Sequence, residues 1–178
     1  MRLLHIGCGP LDHGNDNALP DWAEGCDETR LDIDPNNKPH IVANMLEMGD
    51  IGGFDIVYSS HTLEHVYPHE VVPALQEQFR VLRDGGAAVV VVPDLEGVLA
   101  TEDVVYESLS GPITGLDMIY GKASFVAHSP HMAHHSGFTQ HTLSAALKTA
   151  GFSNITTKRL CNSLMAIGQK GALHDPNV

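Results

Sequence analysis

Residues 3–10, Leu-Leu-His-Ile-Gly-Cys-Gly-Pro, constrain the fold of this chain more than any other stretch. A short apolar run bounded by glycine reads as a buried strand. Glycines directly after a strand let the backbone turn tightly and let a ligand approach it closely. The next apolar-acidic block, Leu31-Asp32-Ile33-Asp34-Pro35, places a carboxylate where a second strand ends. A carboxylate in that position can accept hydrogen bonds from ribose hydroxyls. The two blocks together predict a pocket for a ligand that carries adenosine.

A dinucleotide is the weaker expectation. Its fingerprint needs a third glycine, which brings helix and sheet together beside a pyrophosphate. Counting from Gly7, that position holds Asp12, and an acid there would face the pyrophosphate. A nucleoside ligand without phosphates, such as S-adenosylmethionine, has no such requirement.

Further blocks follow in order: Phe-Asp-Ile-Val-Tyr-Ser-Ser-His-Thr-Leu-Glu-His-Val at 54–66, Arg-Val-Leu-Arg-Asp-Gly-Gly at 80–86, Val-Pro-Asp at 92–94 and Ala-Gly-Phe at 150–152. With Leu-His-Ile-Gly-Cys-Gly at 4–9 and Leu-Asp-Ile-Asp-Pro at 31–35, the chain resembles the class I S-adenosylmethionine-dependent methyltransferases. It looks most like a small bacterial subgroup whose chain begins at the first strand. The resemblance covers residues 3–95 well and 135–168 loosely, and residues 96–134 match nothing in it. It implies an α/β, Rossmann-like fold: a mostly parallel seven-stranded sheet, order 3-2-1-4-5-7-6, closed by a C-terminal antiparallel hairpin. It also implies S-adenosylmethionine as cofactor and S-adenosylhomocysteine as product.

Composition narrows the alternatives. The 178 residues suit one domain, 1–178, with an insertion over the active site at about 96–138. No apolar run approaches the ~20 residues of a membrane span, and the apolar stretch after Met-Arg is too short for a signal peptide. Three unpatterned cysteines, Cys8, Cys26 and Cys161, fit a reducing cytoplasm. A net charge of −12 without a basic cluster argues against nucleic acid. A homodimer is left open.

Strands are expected at Leu3–Ile6, Thr29–Asp32, Ile41–Ala43, Phe54–Ser59, Ala87–Val92, Asn154–Lys158 and Leu164–Gln169. The clearest helix is Pro68–Arg83, with Val72, Leu75, Phe79 and Leu82 on one stripe. A second spans Thr139–Ala150. Short helices are expected around Gly97–Ser108 and Ile113–Tyr120, and Asp12–Asp27 reads as a loop with at most one helical turn.

Ligands of open parallel sheets sit at the carboxyl ends of the strands where strand order reverses. The cofactor contacts expected there are Gly7, Cys8, Gly9, Pro10, Asp32, Ile33, Asn44, Met45, Ser59, Ser60 and His61. Asp34 competes with Asp32 but suits a turn before Pro35. Asn44 stands where the family commonly has an Asp toward adenine; an Asn can accept and donate there but lacks the charge, and it also suits a plain turn. Asp55 lies at the opposite end of its strand and is expected to be structural.

The text His61-Thr62-Leu63-Glu64-His65 matches the inverted zinc-peptidase signature. That signature needs both histidines on one long helix, and Pro68 follows too soon. Of twelve histidines, five fall between 128 and 141: His128, His131, His134, His135 and His141. They read either as a polar lid or as acceptor-binding groups. His131-x-x-His134-His135 could also face a metal, but few acids and no Cys are near, and no metal is assigned.

A hydroxyl acceptor needs a base, and His135, His134 and His61 are the candidates, His135 first because it adjoins the point where the insertion rejoins the core. Methyl transfer to a small molecule or a sugar or glycan hydroxyl is the resulting expectation. A non-catalytic S-adenosylmethionine-binding module and a histidine-ligated metal protein are the alternatives.

Overall fold

The computed structural model describes residues 1–10 and 19–171. Nine strands are present among them: β1 (Arg2–Ile6), β2 (Asp27–Asp32), β3 (Ile41–Val42), β4 (Phe54–Ser60), β5 (Leu82–Pro93), β6 (Val104–Ser108), β7 (Gly111–Thr114), β8 (Ser153–Leu160) and β9 (Ser163–Gln169). The α-helices are α1 (Val71–Val81), α2 (Gly115–Tyr120), α3 (Ala123–His128) and α4 (Gln140–Thr149).

Seven strands form one sheet in the order β3-β2-β1-β4-β5-β9-β8. Neighbours from β3 to β5 are parallel, whereas β9 runs antiparallel to both β5 and β8. This is the expected α/β, Rossmann-like sheet, since β6 and β7 form a separate hairpin. Strand order reverses at β1, so the carboxyl ends of β1, β2 and β4 open on one crevice. On one face, α1 and α4 pack Leu75, Val81, Leu143 and Leu147 against Leu4, Val57 and Val90. The other face has a smaller cluster around Leu3, Tyr58 and Val89.

Helix α1 is shorter than expected. A helix starting at Pro68 would need the backbone of Pro73 to donate one turn back, which proline cannot do. Starting at Val71 puts Pro73 in the first turn, where no donor is needed. The buried stripe is accordingly Val71, Ala74, Leu75, Gln78 and Val81 rather than the one centred on Val72 and Phe79. Helix α4 matches its expected span; Thr139 caps it reciprocally with Thr142. At the opposite end of β4, Asp55 accepts from the Arg2 backbone N–H at 2.7 Å and from the Arg83 guanidinium. These hydrogen bonds hold its carboxyl below the ordinary range and make it the structural acid expected.

The helix expected around Gly97–Ser108 does not form. Val104-Val105-Tyr106 are β-branched and aromatic, and they pair with β7 in a hairpin. The next helix begins only at Gly115, capped by Thr114 and Asp117. Of the Asp12–Asp27 loop, the described part holds one 3-10 turn, Asp21–Ala23; residues 12–18 lie outside the described residues. Among the described residues no helix is long and apolar enough to cross a membrane.

Candidate active site

The loop after β1 is tied down from three sides. The backbone N–H groups of Gly7 and Cys8 donate to Leu31 O at 2.8 and 3.2 Å. The Gly9 N–H donates to Asp32 Oδ2 at 2.9 Å. The Arg30 guanidinium donates to Gly9 O at 2.6 Å and to Cys8 O at 3.3 Å. Gly7 and Gly9 both have positive φ, 65° and 60°. A Cβ on Gly7 would overlap the Thr62 hydroxyl and methyl. The position therefore needs glycine twice over, for its backbone and for the side chain beneath it.

Asp32 is 6 % exposed, and its second oxygen accepts from the Asp34 N–H at 2.9 Å. Each oxygen thus has one donor and keeps a lone pair for another. Asp34 instead accepts from the Asn36 N–H and side chain, which makes it the turn former its sequence context suggested. Asn44 Oδ1 accepts from the Leu46 N–H at 3.0 Å, a side-chain turn that fixes the loop after β3.

One cavity of about 1420 Å³ starts at this loop and runs under the β6–β7 hairpin. Its wall includes Gly7, Gly9, Pro10, Asp32, Ile33, Asn44, Met45, His61, His134 and His135. Cys8, Ser59 and Ser60, expected among the contacts, are not part of its wall and are 1, 1 and 3 % exposed. Burial also pushes the Cys8 thiol up to about 11, so it stays neutral.

The far half of the cavity centres on Glu64. Residues 63–65 form a 3-10 turn, and His61 before it has φ 48°. The two histidines of the zinc-peptidase text therefore do not share a helix. The segment after α3 is stitched onto this turn: the His135 and Ser136 N–H groups donate to Glu64 O at 2.9 and 3.0 Å. The Glu64 carboxylate is 1 % exposed. His61 Nδ1 lies 3.5 Å from it, and His134 Nε2 lies 4.0 Å from it. Burial pushes the Glu64 carboxyl up, but the imidazoles of His61, His65 and His134 outweigh burial and hold it below its ordinary value.

The three histidines singled out from sequence differ in their ties. His61 Nε2 faces Ser163 Oγ at 3.3 Å. His134 donates from Nδ1 to Met118 O at 2.9 Å, and burial lowers its pKa below the ordinary 6.5. His135 is exposed and lies flat on the Tyr67 ring, 4.4 Å between centroids. His131 lines the cavity; His141 sits on the exposed side of α4.

Sequence reasoning missed Arg30, Thr62, Glu64, His65 and Tyr67 as parts of this site. Arg30 alone carried a signal, a cation two residues before the acid that ends its strand. Thr62 acts through its contacts with β1 and the Gly7 loop, and His65 and Tyr67 meet residues of the insertion once it folds back.

A methyltransferase-domain family model matches residues 4–90. Solved structures share the fold. A 1,6-didemethyltoxoflavin-N1-methyltransferase from Burkholderia thailandensis, solved with 1,6-didemethyltoxoflavin and S-adenosylhomocysteine, is 15% identical at TM-score 0.61, covering 95% of this chain and 70% of that one. An S-adenosylmethionine-dependent methyltransferase from Archaeoglobus fulgidus is 15% identical at TM-score 0.60, with 95% and 86% covered. The methyltransferase SibL is 16% identical at TM-score 0.63, with 96% and 50% covered. The chain thus spans about half the length of SibL, and it covers 35% of an O-methyltransferase family protein from Burkholderia thailandensis. No curated protein sequence matches it. Residues 4–90 thus match a methyltransferase-domain family, and the fold is one shared with S-adenosylmethionine-dependent methyltransferases. The residues present fit that cofactor: a glycine loop with positive φ on the cavity wall, and a buried carboxylate at the end of β2.

Proposed function

We propose that this chain transfers a methyl group from S-adenosylmethionine to a small-molecule acceptor, with a sugar or other polar hydroxyl as the leading class. One observation carries the reading: a single cavity joins the Gly7–Pro10 loop and Asp32 to His135 and the β6–β7 hairpin. The toxoflavin enzyme, solved with both its small-molecule ligand and S-adenosylhomocysteine, supports an acceptor of that size.

Bound S-adenosylmethionine would supply a reactive sulfonium methyl. The chain's own part is to hold and orient. Gly7, Gly9 and Pro10 would line the cofactor, Asp32 would accept from ribose hydroxyls, and Ile33, Asn44 and Met45 would flank the adenine. His61 would close the inner wall. Residues 96–138 act as the acceptor lid of one domain, with Tyr106 and the hairpin over the cavity. His135 is the best placed of the three candidate bases, because His61 and His134 are drawn inward toward Glu64. The three cysteines are all free, which supports a reducing, cytoplasmic setting.

The test is in two stages. Calorimetric titration of S-adenosylhomocysteine should give one site per chain. Release of S-adenosylhomocysteine from S-adenosylmethionine, followed across a panel of hydroxyl, amine and thiol acceptors, should be fastest with a polar hydroxyl. Binding without turnover on any acceptor would leave only a cofactor-binding module.

A further inference from the structure

We propose that Glu64, His65 and His134 form a binding site for a borderline first-row divalent cation, Zn²⁺ being the representative, open toward the far half of the cavity. One ligand atom from each lies within 4.8 Å of the others. The three come from two segments some seventy positions apart, the turn after β4 and the segment after α3, so no linear motif records them. The zinc-peptidase text would use His61 with His65, whereas the ligand atoms that gather within 4.8 Å are those of Glu64, His65 and His134.

Three independent features point to a cation. The first is the state of Glu64. It is 1 % exposed, neither carboxylate oxygen has a partner in good hydrogen-bond geometry among the described residues, and His61 Nδ1 stands off at 3.5 Å. A buried carboxylate without a donor costs several kcal/mol unless a positive charge faces it. The second is the orientation of the imidazoles. His65 donates from Nδ1 to Ala133 O at 3.0 Å, and His134 from Nδ1 to Met118 O at 2.9 Å. Backbone carbonyls have no proton to give, so both Nδ1 atoms carry the hydrogen. In the neutral ring both Nε2 atoms then carry the lone pair, the form in which imidazole binds a metal.

The third is spacing. A protonated imidazole in direct contact with a carboxylate would sit about 2.7–2.9 Å from it. Here His134 Nε2 stops at 4.0 Å from Glu64 Oε1. Zinc bonds of about 2.0–2.2 Å set tetrahedral ligands about 3.3–3.6 Å apart, so the gap suits an ion after a small side-chain contraction. Two imidazoles and one carboxylate are a borderline donor set, suited to Zn²⁺ and its neighbours rather than to Ca²⁺ or Mg²⁺. Three protein ligands leave at least one position open. Glu64, His65 and His134 all line the cavity, so that position would meet an oxygen of the bound molecule. This last role rests on the proposed function; the cation site does not.

The experiment uses the whole chain, stripped with chelator and dialysed, without cofactor or acceptor. Zn²⁺ is titrated by calorimetry and Co²⁺ by visible absorption. We expect one ion per chain and a four- or five-coordinate Co²⁺ spectrum. Glu64→Gln, His65→Ala and His134→Asn should each weaken binding by more than the ~10–100-fold typical of losing an outer-shell partner. His141→Ala, on the exposed side of α4, should leave it unchanged. Binding that survives all three cluster variants, or that His141→Ala removes, overturns the site. S-adenosylhomocysteine titration of each variant, with circular dichroism, shows whether it remains folded. Loss of S-adenosylhomocysteine binding in the wild type with Zn²⁺ binding intact would sink the proposed function and leave the cation site standing.

Discussion

The two ends of the cavity are built on different principles. The cofactor end is a backbone structure. Its cavity-facing surface is a glycine loop with positive φ, and the hydrogen bonds described for it run to residues of β2. The far end is a side-chain structure, in which a buried carboxylate gathers imidazoles from two distant segments. A backbone cradle tolerates almost no change at its glycines but suits one ligand across many proteins. A side-chain cluster can be rebuilt residue by residue, which is how one fold can serve many acceptors.

The sharpest way to break this contrast is at Gly7. Gly7→Ala should cost about 2–4 kcal/mol of stability, from the left-handed backbone and the overlap with Thr62 together. It should also abolish measurable S-adenosylhomocysteine binding. In urea unfolding, Thr62→Ala placed in the same chain should recover part of the loss. An unaltered midpoint in the Gly7→Ala single variant would show that the loop is not sterically fixed.

The far end should break differently. His135→Ala should lower turnover on a hydroxyl acceptor by about 10²-fold or more while leaving S-adenosylhomocysteine affinity unchanged. The deficit should shrink at high pH, where solvent hydroxide can take the acceptor proton. Full activity across pH 6–9 would remove His135 as base and return attention to His134 and His61.

Asp32→Ala returns to the cofactor end. It should weaken S-adenosylhomocysteine by about 1.5–3 kcal/mol, the range for a hydrogen bond to a charged group. Asp34→Ala, which loses only the cap on Asn36, should cost stability but little affinity. Equal losses of affinity would mean that the loop, not the carboxylate, is what the ligand needs.

How far the sequence revealed each end follows the same division. The glycine-loop end has a local geometry that the sequence could show: a strand, a glycine turn and an acid at the next strand end leave a spacing signature. Sheet order was legible for the same reason, through alternating strands and helices. The hairpin β6–β7 was misread as helix because Gly97–Ser108 has no periodicity strong enough to override the surrounding loop residues. Glu64 was seen only as a letter in a peptidase motif. Its burial comes from Ser136 and His135 folding across it, contacts over a separation that no local pattern encodes. Gln78 shows the same limit: it sits at 0 % exposure on a helix stripe that looked apolar one position away.

The smallest expected effect tests how each end treats a buried imidazole. His5, beneath the cofactor loop, is 1 % exposed, and its Nδ1 meets Glu28 Oε1 at 2.8 Å. Burial lowers its pKa below the ordinary 6.5, and the Glu28 hydrogen bond only partly opposes this. Above pH 6.5 the residue is neutral in both folded and unfolded chains and contributes no pH dependence. Below 6.5 the unfolded chain takes the proton first, so stability falls as pH falls toward the folded value. One such group gives a slope of at most about 1.4 kcal/mol per pH unit. His134, also lowered by burial, acts in the same window, so the total slope cannot isolate His5. The difference between wild type and His5→Phe can. Phenylalanine keeps a ring beside Tyr58, whose centroid is 5.2 Å from that of His5, and has nothing to protonate. In urea unfolding, the variant should gain on the wild type as pH is lowered from 7 to 5. Parallel stability curves would mean that folding leaves the His5 pKa unshifted, and a wild type that gains on the variant as pH falls would mean that His5 is charged in the folded chain, paired with Glu28. The cofactor end would then hold its histidine as an ion pair, and the contrast with the Glu64 cluster would narrow to geometry alone.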